Sequence, residues 1–530
     1  MADPAPDVNQ PGGSVPLPDS IKRKIKKSIV AVSVANFCFL NSGFDLLFDE
    51  DRFFDKVPVT PTLLLALLVN IFWLAAVIWL GIRCRQRSSN RALHLVLDLG
   101  FLFLMLVPLD FVRFKILNIT DHQLFVFLKR PAVMLCAVVV IATVVWQHGR
   151  IARAAAVAAA IAFPLAFSML AKNVLICLGL MHQNNCAGEI ALPPPGPVPA
   201  GRPRVLWIIF DETDYRIAFE QRPPGVSLPA FDHLRTESLF ATDAYAPADA
   251  TLYSMPSLII GRRLSLVDAK GTSDLNLMFA DTGATARWST LPSVFSEARG
   301  LGINTALVGW YLPYDRMLPN ALNYCAWWSY PSFEPTRAAT FSAEMWQQVF
   351  SLTGTIHYRQ MSAKMYHDSF IESLSVVSNS AYGLVLLHLP PPHRPGVYLP
   401  DQNRFTAWPM SKVQGYFNNL MLADRELGAF RQVLETSGDW NRTWVILSAD
   451  HSWRQSELYD GKRDMRIPFL VKPPAGGEAT AYPRQFNTVL TRDLILAILR
   501  GEITNGQNVA TWLDFHRSPE GNIPAPMIIE

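Results

Sequence analysis

The sequence predicts an α-helical membrane domain followed by an α/β domain with a central, mostly parallel sheet. Half of the 530 residues are hydrophobic and only 17% are charged, and the mean hydropathy of +0.17 is high for a wholly soluble protein. The apolar excess lies in the first third of the chain, whereas the remainder alternates short apolar runs with amphipathic stretches. A net charge of +3 gives no reason to expect a nucleic-acid partner.

Five apolar segments are long enough to cross about 30 Å of hydrocarbon. A cleaved signal peptide is not expected, because no small-residue cleavage site follows the first segment and further apolar segments come after it. The five segments are 28–48, 59–82, 92–112, 131–148 and 152–181. The domains predicted from them are a cytoplasmic segment at 1–27, a five-helix transmembrane domain at 28–182, a proline-rich linker at 183–203 and a second domain at 204–530.

The distribution of lysine and arginine predicts the orientation of these spans. Basic clusters precede the first segment, separate the second from the third and separate the fourth from the fifth. Because cytoplasmic loops carry the excess of basic residues, the N-terminus is expected inside and everything after residue 182 outside. The loop 110–130 would then lie outside although it is basic, and we interpret it as an amphipathic segment on the outer leaflet. Cys186 and Cys325 could pair there, although their spacing does not require it.

The second domain reads as alternating strands and helices. RVLWIIF, INTALVGW, AYGLVLLHL and TWVILSA are predicted strands, and LPSVFSEARGLG and NNLMLADRELGAFRQVLETSG are predicted helices. That alternation is typical of an α/β sheet covered on both faces. The aromatic stretch WYLPYDRMLPNALNYCAWW suits either docking at a membrane surface or packing in the core of this domain.

Potential metal ligands follow three of the predicted strands. Carboxylates and imidazoles suit zinc or manganese and can leave a position open for substrate. Such residues can also simply cap strands and face solvent, but their recurrence at the ends of alternating strands favours a site at the carboxyl edge of the sheet. The candidates are Asp211 and Glu212 after RVLWIIF, His388 and His393 in LVLLHLPPPH, and Asp450 and His451 after TWVILSA.

Over about residues 203–515 the chain resembles the alkaline phosphatase/sulfatase superfamily. VLWIIFDE matches the first strand and its acidic ligand, and LPAFDHLRTESLFATDAYAP leads to a nucleophile loop that ends in LIIGR. GINTALVGW, HLPPPHRP and DWNRTWVILSADH follow in the order of the superfamily. The resemblance implies an alkaline-phosphatase-like fold and one divalent metal, zinc with manganese as the alternative. The ligands that it implies are Asp211, Glu212, Thr251, Asp450 and His451.

The segment ADATLYSMPSLIIGRR offers three hydroxyl groups as nucleophiles, those of Thr251, Ser254 and Ser257. In members of the superfamily the nucleophile stands ten residues before the glycine of the closing Gly-Arg pair. Counting back from Gly261 gives Thr251. The resemblance therefore favours Thr251, and Ser254 is the alternative.

Two departures from the sulfatase pattern weigh against a sulfatase. Ser254-Met255-Pro256-Ser257 is similar to the sequence in which Cys or Ser becomes formylglycine, but Leu258 replaces the arginine expected there. Threonine cannot be oxidised to formylglycine. In addition, Gly309-Trp310-Tyr311-Leu312 lacks the lysine and histidine of the Gly-Lys-x-His segment that holds sulfate in sulfatases.

The layout of five spans and one outside domain resembles the lipid A phosphoethanolamine transferases and the lipoteichoic acid synthases. This resemblance implies transfer of phosphoethanolamine or phosphoglycerol from a membrane phospholipid donor to an envelope glycan or lipid acceptor, through a phosphorylated Thr251. It also implies a multi-pass protein of the bacterial inner membrane with a periplasmic catalytic domain. Partners in envelope polysaccharide synthesis are a further expectation. The substrate-side candidates are His393, His388, Lys462 and Arg463.

Two other functions remain open at this point. One is a membrane-bound sulfatase or phosphodiesterase that hydrolyses an envelope ester. The other is a non-catalytic binding module in envelope polysaccharide assembly. Retention of the acidic residue, the threonine and the Asp-His pair together disfavours a non-catalytic module.

Overall fold

The structure is a computed structural model that describes residues 19–48, 52–117, 119, 124, 127–182, 185–186, 188, 190–197, 201–331, 340–517 and 524. It divides into two compact units. The first unit comprises residues 1–47, 61–182 and 338–352, and the second comprises 48–60, 183–337 and 353–530. The division differs from a single boundary after residue 182, because each unit includes a short segment from the other half of the chain.

The first unit is helical and apolar. Within the described residues, two helices are long and apolar enough to cross a membrane, Pro61–Arg87 and the continuous stretch Arg91–Phe111. The number rises to four if each of two bent helix pairs counts as one span, so the predicted count of five stays a prediction. The helices of this unit are Asp19–Cys38, Leu40–Phe48, Pro61–Arg87, Arg91–Leu104, Val107–Phe111, Pro131–Trp146, His148–Ile161, Phe163–Cys177 and Phe341–Phe350.

The segment predicted as the fifth span, 152–181, is broken in the structure. One helix ends at Ile161 and the next begins at Phe163 with Pro164 in its first turn. Proline lacks the amide hydrogen that a continuous helix needs but fits the first turn of a new helix. The basic loop 110–130 lies partly outside the described residues, as does the cytoplasmic segment 1–27.

The helix Phe341–Phe350 joins the first unit although it lies far along the chain. Its Gln348 accepts a hydrogen bond from the side-chain amide of Asn70 at 3.0 Å and donates one to the carbonyl of Leu63 at 3.1 Å. Glu344 and Gln348, one turn apart, are both buried, whereas Trp346 is 63% exposed. The polar side of this helix therefore faces Pro61–Arg87. A surface helix of a soluble protein has the opposite arrangement, with its apolar side toward the protein.

The second unit is built around a β-sheet. Its described strands are β1 Arg204–Phe210, β2 Leu239–Ala241, β3 Ala244–Tyr245, β4 Leu264–Lys270, β5 Asp274–Phe279, β6 Thr285–Arg287, β7 Thr305–Trp310, β8 Tyr324–Trp328, β9 Leu384–Leu389, β10 Tyr398–Leu399, β11 Arg404–Phe405, β12 Thr443–Ser448, β13 Phe469–Lys472, β14 Thr480–Tyr482 and β15 Phe486–Asn487. Eight of them form a mostly parallel sheet of order β14-β2-β13-β12-β1-β9-β7-β8, which confirms the predicted α/β fold of this domain. β1 pairs in parallel with β12 and β9, and β7 with β9 and β8, whereas β13 is antiparallel to both of its neighbours.

Helices cover both faces of this sheet, as the sequence pattern predicts. Alternate residues of β1 enter two different hydrophobic clusters, with Trp207 in one and Ile208 in the other, and every residue of β1 is buried. A strand buried on both faces needs a continuous apolar run, and RVLWIIF provides it. The helices of this unit are Pro229–Thr236, Thr251–Ile260, Val294–Gly300, Tyr314–Met317, Thr355–Ser378, Lys412–Thr436, Glu457–Asp460, Thr491–Arg500 and Gly506–His516.

The aromatic stretch 310–328 belongs to the core rather than to a surface. Trp310 is 1% exposed, Tyr314 0% and Trp327 3%, and all three pack in hydrophobic clusters of the second unit. Of the two alternatives for this stretch, core packing is the one observed. Cys186 and Cys325 are both free thiols in the structure.

A short segment between two helices of the first unit is built into the second unit. We call residues 52–60 the strap. Phe53 of the strap is fully buried in the core, and Arg316 donates hydrogen bonds to the carbonyls of Phe53 and Asp55 at 2.8 and 2.6 Å. Lys56 donates to the carbonyl of Trp327 at 2.5 Å. Buried main-chain carbonyls need such donors, and Arg316 supplies two of them.

The proline-rich linker is held to the same unit where it is described. Asn304 exchanges two hydrogen bonds with the main chain of Gly196, both at 2.8 Å. Asn323 donates to the carbonyl of Pro194 at 3.0 Å. These contacts fix residues 193–196, whereas 183, 184, 187, 189 and 198–200 of the predicted linker lie outside the described residues.

Candidate active site

Two adjacent strands carry acidic residues and a histidine to one edge of the sheet. β1 and β12 are parallel and in register, with Ile209 opposite Ser448. Their carboxyl ends therefore coincide, and the residues directly after them meet. These residues, Asp211, Glu212, Asp450 and His451, are all 5% exposed or less.

Thr251 lies against this group at the beginning of the helix Thr251–Ile260. Its hydroxyl oxygen is 2.7 Å from Oδ2 of Asp450, 3.3 Å from Oδ2 of Asp211 and 3.3 Å from Nε2 of His451. Ala250, the residue before the helix, has an extended backbone and makes no side-chain cap hydrogen bond. The hydroxyl thus faces both carboxylates and the imidazole.

The two serines of the same helix have other partners. The hydroxyl of Ser254 donates to the carbonyl of Ala248 at 2.9 Å and accepts from its amide at 3.1 Å. The hydroxyl of Ser257 donates to the carbonyl of Tyr253 at 2.6 Å. Both serines are fully buried. Of the three hydroxyls considered from the sequence, the structure brings only that of Thr251 to the acidic residues.

Asp211, Asp450 and His451 fit a divalent metal ion. Each offers one ligand atom, and these atoms lie within 4.8 Å of one another. Oδ1 of Asp211 is buried and has no hydrogen-bond partner among the described residues, which fits an oxygen that can bind a cation. Nδ1 of His451 lies 3.0 Å from the carbonyl of Ser452, which leaves Nε2 as the nitrogen for a metal.

The charges at this site are strongly coupled. Burial, with the negative charges of Asp450 and Glu212 beside it, raises the pKa of Asp211 well above its ordinary value. Burial also opposes ionisation of Asp450, but neighbouring His451 and His388 and a hydrogen bond from Thr251 outweigh it and lower the pKa of Asp450. A concentration of buried carboxylates of this kind is typical of a functional site.

Glu212 is not one of the three metal-ligand candidates that the structure groups together. Its backbone has a φ of 64°, a left-handed conformation that is strained for a residue with a side chain. Its Oε1 lies 3.4 Å from Nε of Arg454, and its carbonyl accepts a hydrogen bond from the hydroxyl of Tyr416 at 2.9 Å. The predicted role of Glu212 as a metal ligand therefore stays a prediction.

His388 and His393 flank the site from β9 and the loop after it. Nε2 of His388 is 3.8 Å from Oδ2 of Asp211, and Nδ1 is 2.8 Å from the hydroxyl of Tyr314. The ring of His393 packs edge-on against Trp310, with centroids 4.9 Å apart. Burial lowers the pKa of each histidine to about 4, so both imidazoles are neutral near pH 7.

The structure does not bring Lys462 into this group. Its side chain is exposed, and its main-chain amide and carbonyl make the described hydrogen bonds, to Asp460, Arg216 and Ser456. Arg463 is committed to Asp249, with two hydrogen bonds of 2.8 Å. These contacts fit a structural role for the loop that holds both basic residues.

Two residues beside the site were missed in the sequence. Arg454 pairs with Glu212, and Tyr314 contacts His388. Arg454 could have been found from the sequence, because it stands three residues after the Asp-His pair and is therefore close to the predicted metal ligands. Tyr314 carries no comparable signal, since its contact depends on packing between β7 and β9.

Comparison of the sequence with models of known protein families identifies a match. The sulfatase family model matches residues 203–498, more than half of the chain. The chain belongs to the sulfatase family. Members of the wider superfamily are enzymes that use divalent metals, and the group Asp211, Asp450 and His451 of this sulfatase-family protein is a candidate site for one.

Several solved structures are similar to this chain at low sequence identity. Ps i-CgsB in complex with k-i-k-neocarrahexaose is 13% identical, with 59% of this chain and 76% of that chain covered and a TM-score of 0.42. The PsFucS1 sulfatase from Pseudoalteromonas sp. is 12% identical, with 56% and 68% covered and a TM-score of 0.39. The phosphonate monoester hydrolase of Agrobacterium radiobacter is 12% identical, with 60% and 78% covered and a TM-score of 0.38. No curated protein matches the chain.

Proposed function

We propose that this sulfatase-family protein transfers a phospho head group from a membrane phospholipid to an envelope glycan or lipid. The head group is phosphoethanolamine or phosphoglycerol, and the intermediate is a phosphodiester on Thr251. The observation that carries the proposal is the hydroxyl of Thr251, 2.7 Å from Oδ2 of Asp450 and 3.3 Å from Oδ2 of Asp211.

In the first step the oxygen of Thr251 forms a bond to phosphorus and the bond from phosphorus to the diacylglycerol oxygen breaks. The hydroxyl proton of Thr251 leaves toward Asp450, which accepts its hydrogen bond, and the diacylglycerol oxygen takes up a proton. In the second step the oxygen of an acceptor hydroxyl bonds to the same phosphorus, the bond from phosphorus to Thr251 breaks, and the acceptor's proton passes to the oxygen of Thr251. A divalent cation bound by Asp211, Asp450 and His451, zinc or manganese, supplies positive charge that lowers the pKa of the hydroxyl.

The residues at the end of β7 support phosphorus rather than sulfur as the reacting atom. In sulfatases the corresponding residues bind the sulfate group. Trp310 and Leu312 stand where the sulfatase pattern has lysine and histidine, and they are 1% and 0% exposed. Both pack in hydrophobic clusters. A threonine nucleophile also cannot give the formylglycine on which sulfatases depend.

The apolar helices support a lipid donor in a membrane. We propose that this is the bacterial inner membrane and that residues 183–530 lie in the periplasm, an orientation that requires an odd number of spans. Two to four helices of the described residues could span a membrane. Alkaline phosphatase fused after residue 190 should be active and a fusion after residue 88 inactive. The reverse pattern would contradict the proposed orientation.

Transfer is distinguished from hydrolysis by its dependence on an acceptor. The full-length protein, loaded with metal, is incubated in vesicles with head-group-labelled phosphatidylethanolamine or phosphatidylglycerol, with and without envelope glycolipid. We expect diacylglycerol release to rise with the glycolipid and label to appear on it. Acceptor-independent release of free head group identifies a phosphodiesterase, and no release from either lipid in the presence of acceptor contradicts the proposal.

A further inference from the structure

We propose that Arg454 binds the phosphoryl oxygens of the donor and thereby replaces the missing sulfate-binding lysine and histidine. This inference rests on the proposed function, since it assigns the anion-binding group of the same site. It begins from the position of the guanidinium. Nε of Arg454 is 3.4 Å from Oε1 of Glu212, and the side chain is 21% exposed.

The two terminal nitrogens of Arg454 are available to a ligand. Among the described residues, the hydrogen bond of Arg454 is made by Nε alone. In two neighbouring arginines the terminal nitrogens are already bonded to carboxylates. One terminal nitrogen of Arg463 makes both hydrogen bonds to Asp249, and both terminal nitrogens of Arg216 bond to Asp460. Arg454 therefore presents a planar pair of donors that is not already committed to a carboxylate.

Charge balance requires a cationic side chain at this place. Asp211, Glu212 and Asp450 are buried together, and a phosphodiester that approaches them brings a further negative charge. A divalent cation offsets only part of this charge. The segment Gly309–Leu312 supplies no cation, whereas the guanidinium of Arg454 lies 3.4 Å from the carboxylate of Glu212.

The loop that carries Arg454 is held in a defined position. Trp453, the preceding residue, stacks on Tyr416 with ring centroids 4.0 Å apart and planes 6° from parallel. The hydroxyl of Tyr416 bonds to the carbonyl of Glu212 at 2.9 Å and accepts from the amide of Asp214 at 3.0 Å. The same tyrosine thus anchors the chain beside Arg454 and the chain after Asp211. A fixed guanidinium loses little entropy when it binds two oxygens of one phosphoryl group.

The test compares Arg454→Ala and Arg454→Lys with Arg442→Ala, a control in which the arginine side chain is 80% exposed. The full-length protein is measured with phosphatidylethanolamine in vesicles. We expect Arg454→Ala to lower kcat/KM roughly 10- to 100-fold, mainly through KM, because charged hydrogen bonds to the donor are lost. Arg454→Lys should retain part of the activity, added guanidinium should restore part of it to Arg454→Ala, and the control should behave as wild type.

A second measurement does not depend on turnover. Inorganic phosphate is titrated into each metal-loaded variant and its dissociation constant is measured. Weaker phosphate binding by Arg454→Ala, with unchanged metal content, supports the inference even if no head-group transfer is found, which separates its failure from that of the proposed function. Unchanged phosphate affinity overturns the inference. Loss of bound metal from Arg454→Ala also overturns it, because Arg454 is then a structural partner of Glu212.

Discussion

The hydroxyl oxygen of Thr251 lies 2.7 Å from Oδ2 of Asp450 although the two residues are 199 positions apart in the sequence. One turn further along the same helix, the hydroxyl of Ser254 bonds to the main chain of Ala248 and not to an acidic residue. The same helix thus places the hydroxyl of Thr251 beside the carboxylates and the hydroxyl of Ser254 against the preceding loop. Substitutions of the two residues should therefore have different effects on activity.

The serines are expected to shape the loop and not to react. Ser254→Ala removes two hydrogen bonds to Ala248 and should cost about 1–2 kcal/mol of stability while most of kcat is retained. Ser257→Ala loses one bond to the carbonyl of Tyr253 and should be closer to neutral. Thermal unfolding and steady-state kinetics of the full-length variants check both effects. A Ser254→Ala protein that is folded but inactive would favour the sulfatase-like alternative.

Removal of a metal ligand should abolish metal binding and activity together. Asp450→Asn and His451→Ala each take one ligand from the group Asp211, Asp450 and His451, and elemental analysis of the purified variants should find most of the divalent metal lost. His233→Ala is the control, because the side chain of His233 is 55% exposed on a surface helix. Wild-type metal content in both ligand variants would argue against this site.

Arg316 should secure the strap. Arg316→Ala leaves the carbonyls of Phe53 and Asp55 without that donor, and we expect a loss of about 2–4 kcal/mol because the arginine is 4% exposed. Hydrogen exchange of residues 52–60 should accelerate in this variant, with Arg316→Lys intermediate. Exchange at the wild-type rate would show that the strap is held by Phe53 and not by Arg316.

A buried carboxyl away from the site should make stability depend on pH. Burial raises the pKa of Asp424 to about 7, compared with about 3.9 in an unfolded chain. Between these values the folded protein keeps a proton that the unfolded chain has released, so stability falls as pH rises, by up to roughly 4 kcal/mol.

The test of this pH dependence is Asp424→Asn, which keeps an oxygen for the amide of Phe231 and cannot ionise. Its unfolding midpoint should exceed that of wild type at pH 8, and the difference should shrink at pH 5. The exposed Asp401→Asn serves as the control. An equal midpoint difference at both pH values would mean that Asp424 is ionised in the folded protein.

The core strands and the acidic strand ends could be predicted because each depends on local sequence. RVLWIIF must lie between two apolar layers, and a parallel sheet brings the residues after β1 and β12 to one edge. The strap and the helix Phe341–Phe350 could not be predicted, because their partners, Arg316 and Asn70, lie more than 200 residues away. Arg454 was missed and Lys462 preferred because only the three-dimensional contacts show which basic side chain lies beside the acidic residues.

The decisive experiment is a search for the covalent intermediate. Metal-loaded protein is incubated with phosphatidylethanolamine, quenched, digested and examined by tandem mass spectrometry. We predict a phosphoethanolamine adduct on Thr251, absent from Thr251→Ala, whose kcat should fall by at least about a thousandfold with its metal content largely intact. Thr251→Ser should still form some adduct. An adduct on Ser254, or full turnover by Thr251→Ala, would contradict the assignment of Thr251 as the nucleophile.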